Sequence, residues 1–194
     1  MTEPNPAAQA KAHVQEKHQI MSASEIDRTL MRLAHEIVER NNGVEDVVFL
    51  GVRRRGVPLA ERLAKRIAEI EKASPPVATL DITFYRDDLS TIDQKPVVQH
   101  APLPLDIENK TVILVDDVLY TGRTTRAALD AMIDHGRPRR VELVVLIDRG
   151  HRELPIQANY VGRTVQTADH EVIEVRLREI DSEERVMLCE RVSG

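Results

Sequence analysis

Three features of this sequence predict an α/β fold built on a mostly parallel sheet with helices on both faces. VVFLGV (47–52), TVILVDDV (111–118) and VELVVLI (141–147) are short and almost wholly apolar, as strands buried on both sides are. Other segments carry apolar residues at three- and four-residue spacing, the signature of amphipathic helices. The two kinds alternate along the chain, which is the order of βαβ units. With 194 residues there is room for one domain with a sizeable core, and too little for two comfortable ones. We expect that domain over 21–194.

Residues 1–20 are rich in Ala, Gln, Pro and Lys without a sustained apolar period, and read as a disordered tail. Ser24 is the expected N-cap of the first helix, with Asp27 three residues on as an imperfect capping box. Ile26, Leu30, Leu33, Ala34 and Ile37 form its core stripe, and Asn41-Asn42-Gly43 stops it. After the 47–52 strand, Pro58 is expected to begin a helix running through LAERLAKRIAEIEK. Ser74-Pro75-Pro76 breaks it before a strand at about 77–84. Residues 85–106 are polar, hold three prolines and show no period; a loop of that length in a compact domain is usually functional or disordered. The 111–118 strand leads into a helix at about 124–135, ended by Gly136 and Pro138. The 141–147 strand and short strands near 158–161, 171–177 and 185–191 complete the chain.

Composition narrows the function. The formal charge of −5 argues against a domain that wraps nucleic acid by bulk positive charge, though not against a local basic face. The absence of Trp, with three Tyr and two Phe, leaves few platforms for stacking single-stranded bases. Cys189 is the single cysteine, so no intramolecular disulfide or thiolate metal cluster is possible. No apolar run approaches the roughly 18 residues of a membrane span, and no secretory signal precedes the first helix. The expected setting is the cytoplasm, with no membrane partner.

The junction VILVDDVLYTGRTTRAALDAM (112–132) carries the chemistry. In open α/β sheets ligands bind where strands end and helices begin. Here a buried strand ends in Asp116 and Asp117, and the turn Tyr120-Thr121-Gly122-Arg123-Thr124-Thr125 opens a helix. Unpaired amides and the positive end of the helix dipole suit a phosphate; Gly122 admits close approach and the threonines add donors. The carboxylates suit sugar hydroxyls, or a Mg²⁺ that a ligand brings with it. A phosphate site beside an acceptor for sugar hydroxyls describes a ribose 5-phosphate. Neither G-x-x-x-x-G-K-[ST] nor G-x-G-x-x-G occurs.

This segment resembles the phosphoribosyl pyrophosphate (PRPP) signature of type I phosphoribosyltransferases. Together with GVRRRGVPLAERLA (51–64), DITFYRDDLS (81–90) and DRGHRELPI (148–156), it resembles the family of bifunctional pyrimidine operon regulators and uracil phosphoribosyltransferases, from about Ile20 to Arg191. The resemblance implies a small hood and a flexible flap on the parallel sheet. It implies transfer of ribose 5-phosphate from PRPP to uracil, giving UMP and pyrophosphate, with Mg²⁺ held mainly through the substrate. Val52, Arg53 and Arg54 fall in the implied pyrophosphate loop, although the family usually has Thr where this chain has Arg54. Tyr85, Arg86 and Asp87 would begin the flap, with Arg86 acting alongside Asp116 and Asp117 in catalysis. Asp148 and Arg149 could line the base pocket or form a structural ion pair.

Such relatives also bind the leader of pyrimidine-operon mRNA when UMP or UTP is bound. Arg32, His35, Arg40, His151, Arg152 and Arg163 match the implied RNA-contacting positions, while Met31 and Gln157 depart from the family pattern. Homodimers or homotetramers are implied as well. The alternative is a phosphoribosyltransferase for another base, such as hypoxanthine, with no RNA role.

Overall fold

Strands that are apolar on both faces must be covered on both faces, and the computed structural model, which describes residues 13–86 and 103–192, has that arrangement. The elements are β1 (His13–Ser22), α1 (Ala23–Asn41), β2 (Val47–Val52), α2 (Gly56–Glu71), β3 (Val77–Leu80), a 3-10 turn (Thr83–Tyr85), β4 (Thr111–Leu119), α3 (Arg123–Ile133), β5 (Arg140–Asp148), β6 (Tyr160–Thr164), β7 (Glu171–Arg176), α4 (Arg178–Asp181) and β8 (Arg185–Val192). Five strands in the order β3-β2-β4-β5-β6 make an all-parallel sheet. The expected fold class is therefore present.

Strand alternation divides the core in two. Phe49, Ile113, Val115, Val144 and Leu146 meet α1 and α2 on one face. Leu50, Val112, Leu114, Leu143 and Val145 meet Ala127, Ala128, Ala131 and Met132 of α3 on the other. A second, antiparallel sheet of order β1-β8-β7 forms the hood, joined to the first core through Met21, Ile173, Val175, Leu177, Val186 and Leu188.

β1 corrects the reading of residues 1–20 as a tail: His13 to Ile20 are strand, and residues 1–12 lie outside the described ones. What fixes this polar strand is its neighbour, not an apolar face. It pairs with β8 along its whole length, while Lys17 meets Glu171 at 2.8 Å and Glu16 meets Arg176 at 2.6 Å and Arg185 at 3.1 Å. Cross-strand charge pairs of this kind cannot be seen from one strand's own sequence.

Three boundaries also move. α1 is capped by Ser22, not Ser24, because Glu25 reaches back 2.8 Å to the Ser22 amide and completes the box, whereas Asp27 pairs with Arg66 of α2. α2 starts two residues before Pro58, and a proline in the first helical turn forfeits no hydrogen bond. β3 stops at Leu80 because Asp81 turns the chain by accepting from the Thr83 amide (3.0 Å) and hydroxyl (2.6 Å). Asp87 and residues 88–102 of the expected flap lie outside the described residues.

Candidate active site

The carboxyl end of β4 is enclosed by two turns. One, 53–55, joins β2 to α2; the other, 120–122, joins β4 to α3. Two glycines let the first turn sit this close. A Cβ on Gly56 would lie 2.2 Å from the Val115 carbonyl oxygen, and one on Gly51 would lie 2.5 Å from Val57 Cα. Any other residue would push the loop away from β4. A cavity of about 290 Å³ results, lined by Val52, Arg53, Arg54 and Arg55 from the loop, Asp116, Asp117 and Val118 from β4, Thr124 from α3, and Ile82 and Arg86.

Asp116 is buried and Asp117 half-buried, without a full complement of partners. Asp116 is 8% exposed. Its Oδ1 accepts from the Asp117 amide at 2.9 Å, and Asp117 Oδ1 accepts from the Val118 amide at 2.9 Å. The two side chains also hydrogen-bond to each other, and neither is in an ion pair among the described residues. Burial, reinforced by the neighbouring Asp117 charge, pushes the Asp116 carboxyl well above the usual range. Burial raises Asp117 as well, while Asp116's hydrogen bond and the Arg55 guanidinium pull it partly back. The pair therefore holds a proton more tightly than free aspartates do, until a cation or hydroxyl donors arrive.

Next to the acids lies the start of α3. Gly122 adopts φ 92° as the N-cap of α3 and has no side chain with which to cap that helix. The Thr121 hydroxyl accepts from the Arg123 amide at 3.3 Å. Thr124 faces the cavity and Thr125 is buried. A helix start facing a polar cavity suits anions, because its amides and dipole favour negative charge. Opposite it stand Arg53, Arg54, Arg55 and Arg86. Arg53 is steadied by Asp81 at 2.9 Å.

Sequence reasoning therefore assembled Val52, Arg53, Arg54, Arg86, Asp116, Asp117 and Thr124 around one cavity. Other expected residues face elsewhere. Arg123 Nε pairs with Glu153 at 2.6 Å, and Tyr120 packs under the Arg149 guanidinium, 4.0 Å from ring centroid to Cζ. Tyr85 donates its hydroxyl to Asp134 at the end of α3. Asp148 and Arg149 do not pair with each other. Asp148 takes Arg152 at 2.5 Å, while Arg149, 4% exposed, donates to the Thr167 hydroxyl (3.1 Å) and the Ala168 carbonyl (3.3 Å). Arg55 completes the arginine turn 51–56 that resembles the pyrophosphate loop; what the sequence does not show is its hold by Asp181.

The basic residues proposed for RNA fall into two groups. Arg32, His35 and Arg40 are exposed on α1 beside β6, an edge strand. There Arg32 donates to the Gly162 carbonyl at 2.7 Å, Arg40 to the Asn159 carbonyl at 3.0 Å, and Arg163 to the Ile20 carbonyl at 2.5 Å. His151 and Arg152 belong to the loop after β5. His151 lies between the Thr167 carbonyl (2.6 Å) and Asp169 (3.1 Å), and Arg152 also donates to the Tyr120 carbonyl at 2.8 Å.

Comparison with known proteins agrees with this geometry. The model of the phosphoribosyl transferase domain matches residues 18–180. The chain resembles the hypoxanthine phosphoribosyltransferases of Staphylococcus aureus (TM-score 0.67, 21% identity, 89% of this chain and 91% of that one) and Trypanosoma cruzi (0.69, 19%, 91% and 92%), a likeness of fold. It is 59% identical over 175 residues to the bifunctional protein PyrR of Pelotomaculum thermopropionicum, covering 90% of this chain and 97% of that one. With PyrR of Thermus thermophilus the identity is 55% over the same shares. The chain belongs to the PyrR family of phosphoribosyl transferase domain proteins.

Proposed function

We propose that the chain transfers the 5-phosphoribosyl group of PRPP to N1 of uracil, giving UMP and pyrophosphate, and binds the pyrimidine-operon mRNA leader in a uridine-nucleotide-dependent manner. The single observation behind the enzymatic half is the cavity in which arginines of one turn face two incompletely paired aspartates and an uncapped helix start. PRPP presents the complementary groups: a diphosphate for the arginines, a 2,3-diol for the carboxylates and a 5-phosphate for α3. The C1–O bond to the diphosphate breaks as the N1–C1 bond forms, and the N1 proton is lost. No protein nucleophile is needed, because alignment and neutralisation of the departing diphosphate supply the catalysis.

Two adjacent carboxylates without a third metal-binding partner among the described residues suit a Mg²⁺ held mostly by substrate oxygens. Asp116 and Asp117 would touch it, and when bound it would offset diphosphate charge. The arginines orient the diphosphate, Arg86 covers the cavity edge from the flap side, and Asp116 and Asp117 fix the ribose.

The alternative of another base without an RNA role draws on likenesses at about a fifth identity, which speak for the fold alone. For RNA, Arg32, Arg40 and Arg163 are held in place by backbone carbonyls and keep further N–H groups for phosphate; His35, His151 and Arg152 extend the set. We place this activity in the cytoplasm and in a homodimer or homotetramer, for which exposed Phe84 and Ile133 offer apolar contact.

Incubation with PRPP, Mg²⁺ and single bases tests the first half: UMP from uracil is expected, and product from purines alone would overturn it. Gel retardation of the leader RNA tests the second. Binding should tighten with UMP, and Arg40→Ala should reduce the slope of log K against log salt by about one; binding indifferent to UMP and to sequence would refute it.

A further inference from the structure

Asp181 lies 126 residues from Arg55, on the short α4 of the hood, yet it grips that arginine with both oxygens: Nη2 to Oδ1 at 2.8 Å and Nε to Oδ2 at 3.3 Å. Asp181 is itself fixed, since Oδ2 also accepts from the amide of fully buried Leu177 at 3.0 Å. Arg55 lines the cavity and its charge acts on Asp117. Among the described residues the fork with Asp181 is what holds the Arg55 side chain. Two turns along α2, Arg62 makes a second tie to the same hood segment, meeting Glu179 at 2.8 Å and Glu184 at 2.6 Å. That tie faces a separate cleft bordered by Asp27, Lys65 and Arg66.

We propose that Asp181 is a positioning residue for phosphoribosyl transfer: from the hood it holds Arg55 at the cavity wall, so that the loop presents a pre-oriented cation to the diphosphate of PRPP. The inference rests on the transfer reading and adds a role for the hood. A guanidinium on a flexible stem loses rotamer freedom when it binds an anion; a bidentate carboxylate removes that freedom beforehand. The hold leaves Arg55 donors over for a ligand, because two of its five N–H groups are engaged. The Arg62 tie joins the same elements without reaching the cavity, and so separates hood attachment from cation placement.

The test is titration of the full-length protein with inorganic pyrophosphate and Mg²⁺, beside steady-state transfer kinetics. Asp181→Asn keeps a carbonyl for the Leu177 amide and removes the charge. It should weaken pyrophosphate about tenfold and raise KM for PRPP similarly, with a smaller change in kcat and none in KM for uracil. Asp181→Glu should recover most of the loss. Arg62→Ala should lower the melting temperature while leaving pyrophosphate affinity within about twofold. Unchanged pyrophosphate binding in Asp181→Asn would overturn the proposal, as would an equal loss in Arg62→Ala, which would make the hood a mere scaffold. Wild-type protein that bound neither pyrophosphate nor PRPP would instead strike the transfer reading, and this inference with it.

Discussion

Two acids are buried in the same parallel sheet, and their surroundings differ. Glu142, near the start of β5, is 7% exposed. It accepts from the Tyr160 hydroxyl at 2.6 Å and from Asn41 Nδ2 at 3.3 Å, and it pairs with Arg140 at 3.1 Å. Arg40 covers the Tyr160 ring at 5.2 Å. Asp116, at the far end of neighbouring β4, is buried to a similar degree, with no partner outside Asp117 among the described residues. A buried charge is tolerated when protein groups satisfy it. Where they do not, the missing partners must come from a ligand, so the incomplete cluster marks the site and the complete one marks structure.

The contrast breaks first under substitution. Asp116→Asn with Asp117→Asn should lower kcat/KM for PRPP by about 10²–10³-fold or more, the effect expected if the pair holds the ribose as proposed. The melting temperature should hold or rise, because an uncompensated buried charge is gone. The pH dependence follows from the raised pair. Below the ordinary aspartate range folded and unfolded states are both protonated; as pH rises above it the unfolded chain ionises first, which is a penalty on folding. Wild type should therefore lose stability relative to the double variant as pH rises through that window, and transfer should fail on the acid side at a higher pH than free aspartates would dictate. Urea denaturation and kcat/KM against pH measure the two.

Glu142→Ala should behave in the opposite way, costing about 2 kcal/mol in denaturation by leaving the buried Tyr160 hydroxyl without its acceptor, while kcat stays within about twofold at 25 °C. A smaller effect belongs to Glu25. Hydrogen bonds from Ser22, first its amide and then its hydroxyl, together with Arg163, lower its pKa to about 2. Its contribution is present above the ordinary value of 4.5 and is lost as pH falls toward 2. Melting curves of wild type and Glu25→Gln should differ at pH 6 and converge near pH 2.

The same contrast explains what was legible in the sequence. The acid pair, the turn and the helix start are contiguous over 112–132, so their local pattern carried the site, and the apolar runs carried the sheet. Satisfaction of charge is a long-range property. Arg55 finds its carboxylate 126 residues away, and Glu16 of β1 finds Arg176 and Arg185 in β7 and β8. Hence the N-terminal strand read as a tail and the partner of Arg55 was not legible. Ser22 differs: its capping box with Glu25 was readable locally, and the nearer Ser24 and Asp27 obscured it.

Calorimetric titration of PRPP with Mg²⁺ into wild type and into the Asp116→Asn, Asp117→Asn double variant addresses the claim most directly. Incomplete satisfaction of the aspartates predicts one site per chain in wild type and a loss of at least about 100-fold in affinity in the variant. Equal affinity in the two proteins would contradict it.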